Sequence, residues 1–440
     1  MSQVPGPKGL PLLGSALALR RDLLGTYERA RAEFGDIVRL TAGPMTLYNV
    51  FHPDHVQHVL ATNAANYRKD NQANEDIAAL FGNGLLTSQD ETWRGQRRIV
   101  QPIFTRNRVA AATEDMALES HRLVSRWFTS DTVDLNREMV TYAMRVVGRI
   151  LFGADVDEAA AVCTDTFPVL GEYVRRRGMS PRPLPRHWPT PANRRAARAR
   201  ARLVGVADEL VRRRRLDSSG DLLSLLLTAS DPETGDRFDD VQVRDQVLVF
   251  LLAGHDTTAT TLTFTLYLLA RHPEVQEAVH GEVSAVLSGR LPESGDIPKL
   301  VNTAAAVKEA MRLYPPAYFV GRLTPAGDEI GGYAIPAGGT VLTSPWVTHR
   351  HPAFWDAPSA FRPERFAPDA EVGRHRYSYF PFGGGPRACI GMQFALTEAV
   401  VAVATIVQRY RLGPVRSKPS LATGITLRPA GPVLCGLSAR

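Results

Sequence analysis

One cysteine follows three consecutive glycines and stands just ahead of a helix-forming run: Phe382-Gly383-Gly384-Gly385-Pro386-Arg387-Ala388-Cys389-Ile390-Gly391, then residues 392–408. A sulfur at a helix N-terminus meets aligned N–H groups and the positive end of the helix dipole. Both favour thiolate over thiol and predict a pKa below the free value of about 8.5. A thiolate is the form that binds iron. Taken alone, the cysteine reads as a small buried hydrophobe and the glycines as a flexible turn. Taken together they fit a flat cofactor better. Residues 383–385 let the backbone pass close to a macrocycle, Arg387 offers a cation to a carboxylate, and Phe382 shields the sulfur.

Three further groups lie far apart in the chain. Ala253-Gly254-His255-Asp256-Thr257-Thr258 falls inside a long apolar helix predicted over about 245–270. Small Ala253 and Gly254 predict close approach of a cofactor face, and a mid-helix threonine that bonds back to the carbonyl four residues earlier is expected to open the helix. His255 beside Asp256 invites a metal or triad reading, but adjacent helical residues point in different directions, so no ligand is assigned to it. Glu309 and Arg312 share one helix face ahead of Pro315-Pro316 and by themselves read as a surface ion pair. Trp93-Arg94-Gly95-Gln96-Arg97 sets an aromatic ring and a cation on one helix.

Residues 382–391 resemble the haem-binding signature of the cytochrome P-450 family, Phe-x-x-Gly-x-Arg-x-Cys-x-Gly, at every specified position. Residues 253–258 are similar to the family's acid–alcohol motif. Trp93 to Arg97 is similar to its Trp-x-x-x-Arg helix, and Glu309-Ala-Met-Arg312 with Phe361-Arg-Pro-Glu-Arg365-Phe resembles its buried Glu-Arg-Arg network. The likeness runs from about 5 to 429, is strongest beyond 247 and is weak between 109 and 240. It implies heme b with Cys389 as axial ligand and metal-binding residue, and Asp256 and Thr257 as a catalytic proton relay. Trp93, Arg97, Ala253, Gly254, Arg322, Phe382, Gly383, Arg387 and Gly391 would lie against the cofactor. Glu309, Arg312 and Arg365 would serve structure and haem retention. The implied fold is mainly α with a smaller β portion, one domain over 1–440 with a Pro-rich lead at 1–12 and no fused reductase.

The resemblance implies a haem-thiolate monooxygenase that hydroxylates a small molecule with O2 and two electrons. Substrate-facing positions by family likeness are the loop 71–86 and the regions 167–179, 316–320 and 424–426, with Leu85, Leu252, Ala253, Ala317, Phe319, Val320 and Ile425 singled out. They are mostly apolar, which predicts a hydrophobic substrate of terpenoid, fatty-acid or carotenoid type. The chain has neither a Gly-x-Gly-x-x-Gly fingerprint nor an iron–sulfur cysteine set, so a ferredoxin and its reductase are the expected donors. Arg94, Arg98, Arg106 and Arg108 read either as a basic docking patch for such an acidic partner or as an ordinary solvated face. A peroxygenase is a neighbouring reading, which Asp256-Thr257 argues against. A rearranging or coupling enzyme shares every motif, and a haem sensor would have no use for a proton relay.

The framework that must position these residues is read from the whole chain. Its 440 residues, 44% hydrophobic and 22% charged, suit a globular protein with a sizeable core, and no linker divides them. Three widely spaced cysteines imply no disulfide framework and a reducing compartment. The net charge of +7 comes mostly from arginines at 194–202 and 212–215, on a helix 193–215 whose stripe of Leu203, Val206 and Leu210 lies opposite them. No aromatic residues interleave to stack bases, so nucleic acid is not the expected partner. The apolar stretch 9–19 contains Pro11 and Gly14 and falls short of the roughly 20 residues a bilayer requires. The chain is therefore expected to be cytoplasmic and monomeric with no membrane span. A helix is predicted near 23–33, strands at 37–40 and 46–50, and helix through most of 93–291 with breaks at 179–191 and 230–237. Strands at 322–324, 329–335 and 340–344 and a helix after Cys389 complete the reading.

Overall fold

An apolar, threonine-rich stretch forms the helix Asp240–Arg271. It starts on a capping box: the Asp239 carboxylate accepts from the Gln242 N–H at 2.8 Å, and the Asp239 N–H donates to the Gln242 side chain at 3.0 Å. Such caps contribute about 1 kcal/mol. Threonine is a mediocre helix former, but Thr261, Thr263 and Thr265 each donate to the carbonyl four residues earlier, at 3.0, 2.7 and 2.7 Å. Their hydroxyls are thereby buried without an unmet hydrogen bond. Among the described residues this is the one helix long and apolar enough to cross a bilayer, and its most apolar window is 78% buried inside the protein.

The computed structural model describes residues 3–128, 130–153, 157–178, 180, 183–216, 221–415 and 417–440. Around the central helix pack Leu135–Val146, Val301–Leu313 and Met392–Arg409, sharing a core that contains Met139, Tyr142, Leu262, Leu266, Ala310 and Val403. Burying a leucine of this kind contributes about 1.5–3 kcal/mol. Leu266 is fully buried, so Leu266→Ala should cost about 2–5 kcal/mol. A second cluster, with Phe81, Phe167, Leu203, Val247 and Leu251, joins the first half of the central helix to Asp157–Gly178 and Pro191–Leu216. The arginine-rich helix Pro191–Leu216 turns Ala196, Leu203, Ala207 and Leu210 inward. One of its arginines departs from the solvated face: Arg214 is buried, paired with Asp221 at 2.5 Å and donating to the Phe152 carbonyl.

The main sheet runs Ile37–Ala42, Met45–Val50, Gly339–Thr343, Val320–Thr324. The outer pairs are antiparallel and the middle pair is parallel, so the sheet begun in the first hundred residues takes half its strands from far along the chain. The stretch 329–335 divides at Gly331 and Gly332, both at positive φ, into the hairpin Asp328–Ile330 and Tyr333–Ile335.

Several expectations are corrected. The loop expected at 71–86 contains a helix, Gln72–Phe81, capped by Asn71 Oδ1, which accepts from Asn74 N at 3.0 Å, and stopped by Gly82 at φ +82°. Within the stretch read as helical, Thr132–Asp134 is a strand paired with Leu434–Ala439, a partner too remote for local pattern to reveal. The central helix begins at Asp240, not near 245, and continues unbroken through Thr257. Met179, Pro181 and Arg182, in the proline-rich break, lie outside the described residues, as do Met1 and Ser2 of the lead.

Candidate active site

Cys389 lies between the turn Gly385–Arg387 and the helix Met392–Arg409. Its N–H donates to the Phe382 carbonyl at 2.9 Å, and Ala388 N–H donates to Gly385 O at 3.1 Å, which closes the loop. Gly385 has φ +63°, and a Cβ there would stand 1.8 Å from Leu60 O; a Cβ at Gly384 would stand 2.3 Å from the Tyr377 ring. Protein neighbours, not a cofactor, require those two glycines. Of the three, Gly383 alone has open space where a Cβ would be. Gly391 meets nothing closer than the Phe104 ring at 3.8 Å, and its N–H acts on the cysteine.

Cys389 keeps exposed surface although protein surrounds its sulfur. Its pKa is raised: burial is the largest influence, and the Gly391 N–H and the Arg97 charge oppose it without winning. The low thiol pKa expected from the helix N-terminus is therefore not a property of the polypeptide alone. Desolvation of a thiolate outweighs the dipole, and coordination to a metal cation is what deprotonates such a thiol. Cys163 and Cys435 are buried thiols pushed up to about 12.

Cations gather beside this cysteine. On the helix Asp90–Val100 the Trp93 ring lies 4.0 Å from the Arg387 guanidinium and 5.9 Å from that of Arg97. Arg387 donates to Ser88 O and Gln89 Oε1 at 2.8 and 3.1 Å, while its Nη1 is buried without a partner among the described residues. Arg97 donates to Ala388 O at 2.9 Å. Burial pushes Arg322 down to about 10; burial, then the Arg322 charge, does the same for Arg387. Sequence reasoning missed Lys69, whose ammonium donates to Leu86 O at 2.7 Å. Burial, then Arg322 and Arg387, holds its pKa well below the ordinary lysine range. No motif marks residue 69, and only folding brings it to the arginines. Like charges crowded out of water are costly unless an anion joins them. The residues thus fit haem: a sulfur for iron, an open Gly383, and a cationic rim for two carboxylates.

On the central helix, burial is almost continuous from Val243 to Ala270, and Ala253, Gly254, Asp256 and Thr257 interrupt it. Phe104 ties this region to the cysteine helix, with its ring 6.0 Å from Phe250 and 6.4 Å from Phe394. Ala253 is exposed to the interior, and Thr257 Oγ1, one turn on, donates to its carbonyl at 2.7 Å. That bond does not open the helix, because the backbone ladder around it stays α-helical. Gly254 is also corrected: its missing Cβ would stand 2.8 Å from Val147 Cγ2, so its smallness serves packing against the segment Val147–Leu151. Asp256 Oδ2 accepts from Thr426 Oγ1, which turns the carboxylate to the side occupied by the loop 424–426. His255 is buried and stacks on Phe167 at 4.8 Å; its pKa is lowered, by burial first. No group of three metal-ligating side chains occurs among the described residues.

The surface reading of Glu309 and Arg312 fails, since both side chains are 0% exposed. Arg312 makes two bonds to Glu309, at 2.7 and 2.8 Å, and donates to the carbonyls of His349, Pro358 and Ala360 at 2.8, 2.7 and 3.0 Å. Arg365 joins as an ion pair, Nε 3.4 Å from Glu309 Oε1, at a geometry that makes no hydrogen bond. The substrate-facing candidates separate. Leu85, Leu252 and Ile425 share one apolar cluster, and Ala317 is half-buried. Val320 packs with the sheet, while Phe319 lies on Tyr27, ring centres 4.4 Å apart.

The cytochrome P-450 family model matches residues 4–435. The cyclooctat-9-en-7-ol 5-monooxygenase of Streptomyces melanosporofaciens is 40% identical over 93% of this chain and 89% of its own length. The pentalenene oxygenase of Streptomyces avermitilis is 34% identical over 92% of this chain and 90% of its own. The crystal structure of the cytochrome P-450DA haem domain superposes with a TM-score of 0.91 at 28% identity, covering 100% of this chain and 98% of that one. Mostly helical, with small sheets and a cationic cradle beside a single open cysteine, the chain belongs to the cytochrome P-450 family and is a monooxygenase whose cofactor is haem.

Proposed function

We propose that this enzyme hydroxylates a hydrophobic terpenoid, and that it takes its electrons from a ferredoxin and its reductase. The observation that carries the reading is the apolar wall: Leu85, Leu252 and Ile425 cluster together, and Ala253 opens beside them on the central helix. No charged side chain is among the singled-out substrate positions. The relatives support the class, since their names specify cyclooctat-9-en-7-ol and pentalenene as the molecules oxidised. A fatty-acid substrate would call for a cation to hold its carboxylate.

Haem bound through a thiolate would supply oxygen activation and transfer of one oxygen atom to a C–H bond. The chain's own residues do the rest. Cys389 would provide the thiolate, and Arg97, Arg322, Arg387 and Lys69 would hold the propionates through charge-assisted bonds. Because Thr257 gives its hydroxyl hydrogen to Ala253 O, its oxygen is left with acceptor capacity and can orient a water molecule in the cavity. Asp256 holds and releases protons for that water. Glu309, Arg312 and Arg365 brace the loop ahead of Cys389.

The ferredoxin surface is narrower than the sequence suggests. Arg94 pairs with Glu91, and Arg98 is held by Asp231 at 2.6 Å and Glu233 at 3.1 Å, which leaves Arg106 and Arg108 as exposed charges. The protein acts as a cytoplasmic monomer. Turnover of a terpene alcohol or hydrocarbon under oxygen-18 gas tests the reaction: one labelled atom in the product is expected. Product without label would remove the monooxygenase reading in favour of rearrangement or coupling.

A further inference from the structure

The Asp256 carboxylate has a partner from far along the chain. It accepts from Thr426 Oγ1, a buried hydroxyl on the loop 424–426 between the strands Leu421–Thr423 and Leu427–Pro429. That loop is fixed on several sides. Gly424 N–H donates to Thr426 O at 3.0 Å, Tyr318 OH donates to Gly424 O at 2.6 Å, and Leu427 N–H donates to Pro316 O at 2.8 Å. Gly171 on the helix Asp157–Gly178 packs beside it, where a Cβ would make ordinary contact at 3.8 Å from Ile425 N. A loop held this way presents its hydroxyl at a fixed point.

Asp256 and Thr426 both line a cleft of about 250 Å³. Leu252 and Ile425 of the apolar wall line it too, with His255, Cys163, Arg137 and Arg428, and the Arg137 side chain is 78% exposed, so the cleft reaches solvent. Among the described residues, the charged and titratable groups lining the cleft with Asp256 are thus His255, whose pKa burial lowers, the buried Cys163 thiol, pushed up to about 12, and the two arginines.

We infer that Thr426 is a positioning residue for the oxygenation reaction, holding the Asp256 carboxylate in this cleft so that it loads with protons from the solvent that reaches it. The proposal rests on the proton-carrying role given to Asp256 above. A proton passes from hydronium in the cleft to a carboxylate oxygen, leaving neutral water, and no electron moves. A hydroxyl binds a charged acceptor about twice as strongly as a neutral one. Protonation therefore weakens the Thr426 bond and frees the loaded carboxyl to turn along the helix toward the Thr257 side. Loading and release are opposite phases of one hydrogen bond.

The test uses haem-loaded Thr426→Val, Thr426→Ser and Asp256→Asn, with a terpene alcohol that shifts the haem spin state as probe substrate. Three quantities are read: the solvent deuterium isotope effect on turnover, the spectral dissociation constant of the probe, and the Asp256 rotamer in crystal structures. Thr426→Val should lower turnover about 10-fold, less than the 10²-fold loss of a removed general acid. It should also raise the isotope effect and move the Asp256 rotamer off the loop, and the spectral dissociation constant separates these effects from any change in probe binding at the loop 424–426. Thr426→Ser should restore all of these. If Thr426→Val gives no haem-loaded protein, Thr426→Ala makes the same test. An impaired Asp256→Asn alongside a Thr426→Val indistinguishable from the parent in isotope effect and rotamer overturns the proposal. An unimpaired Asp256→Asn instead removes the role of Asp256 itself.

Discussion

The Arg387 guanidinium lies 4.0 Å from the centre of the Trp93 indole, so the cation two residues before the cysteine is held by a ring contributed almost three hundred positions earlier. Cation–π contacts of this kind are worth about 0.5–2 kcal/mol. Trp93→Ala should therefore loosen Arg387 and lower haem occupancy, while Trp93→Phe should keep most of it. The ratio of haem to protein absorbance after gel filtration reads the difference; equal occupancy in both variants would show that the ring does not position the cation.

Lys69 carries the opposite signs for folding and for cofactor binding. Its folded pKa is held well below the ordinary 10.5 by burial and then by Arg322 and Arg387, so the unfolded chain is the better proton binder and the charge opposes folding below that pH. Lys69→Met is expected to raise the melting temperature of haem-free protein at pH 7, an advantage that fades as pH rises through the lysine range. The same change should weaken haem binding. A variant that binds haem as well as the parent would contradict the cradle.

Among the described residues Glu309 is the one carboxylate paired with both Arg312 and Arg365, and Arg312 is fully buried. Removing one partner of a buried pair typically costs about 3–5 kcal/mol. Glu309→Gln should show a loss of that size in chemical denaturation together with low haem occupancy. A loss under about 1 kcal/mol, the range of exposed pairs, would mean the network is not the brace it looks to be.

Glu398 is buried on the cysteine helix, and neither of its carboxylate oxygens has a partner among the described residues. Burial raises its pKa well above the ordinary 4.5. Below pH 4.5 both states are protonated and no cost arises; above it the unfolded chain ionises while the folded one resists, so stability from this group falls as pH rises. Glu398→Gln should match the parent near pH 4 and exceed it in melting temperature at pH 7. A gap that does not grow with pH would point to a partner for the charge.

Much of the site was legible because its chemistry is local. The glycine-rich turn, Cys389 and the helix after it are contiguous, Glu309 and Arg312 share a helix face at a spacing of three, and Trp93 and Arg97 are one turn apart, so helical geometry alone sets their relation. Apolar periodicity likewise announced the central helix and strand structure within 329–335, but not its division at Gly331 and Gly332.

What the sequence by itself determined, then, is which side chains share a turn of backbone. Only the tertiary structure decided which of them lose water and which distant segment they meet. Lys69 became a neighbour of Arg322 and Arg387, Arg214 left the solvated face for Asp221, and Gly254 proved to answer to Val147. Asp256 turned to Thr426, and burial outweighed the helix dipole at Cys389. Desolvation depends on everything packed around a group, and hydrogen bonds across 170 residues depend on loop closure, so neither is written in a local pattern.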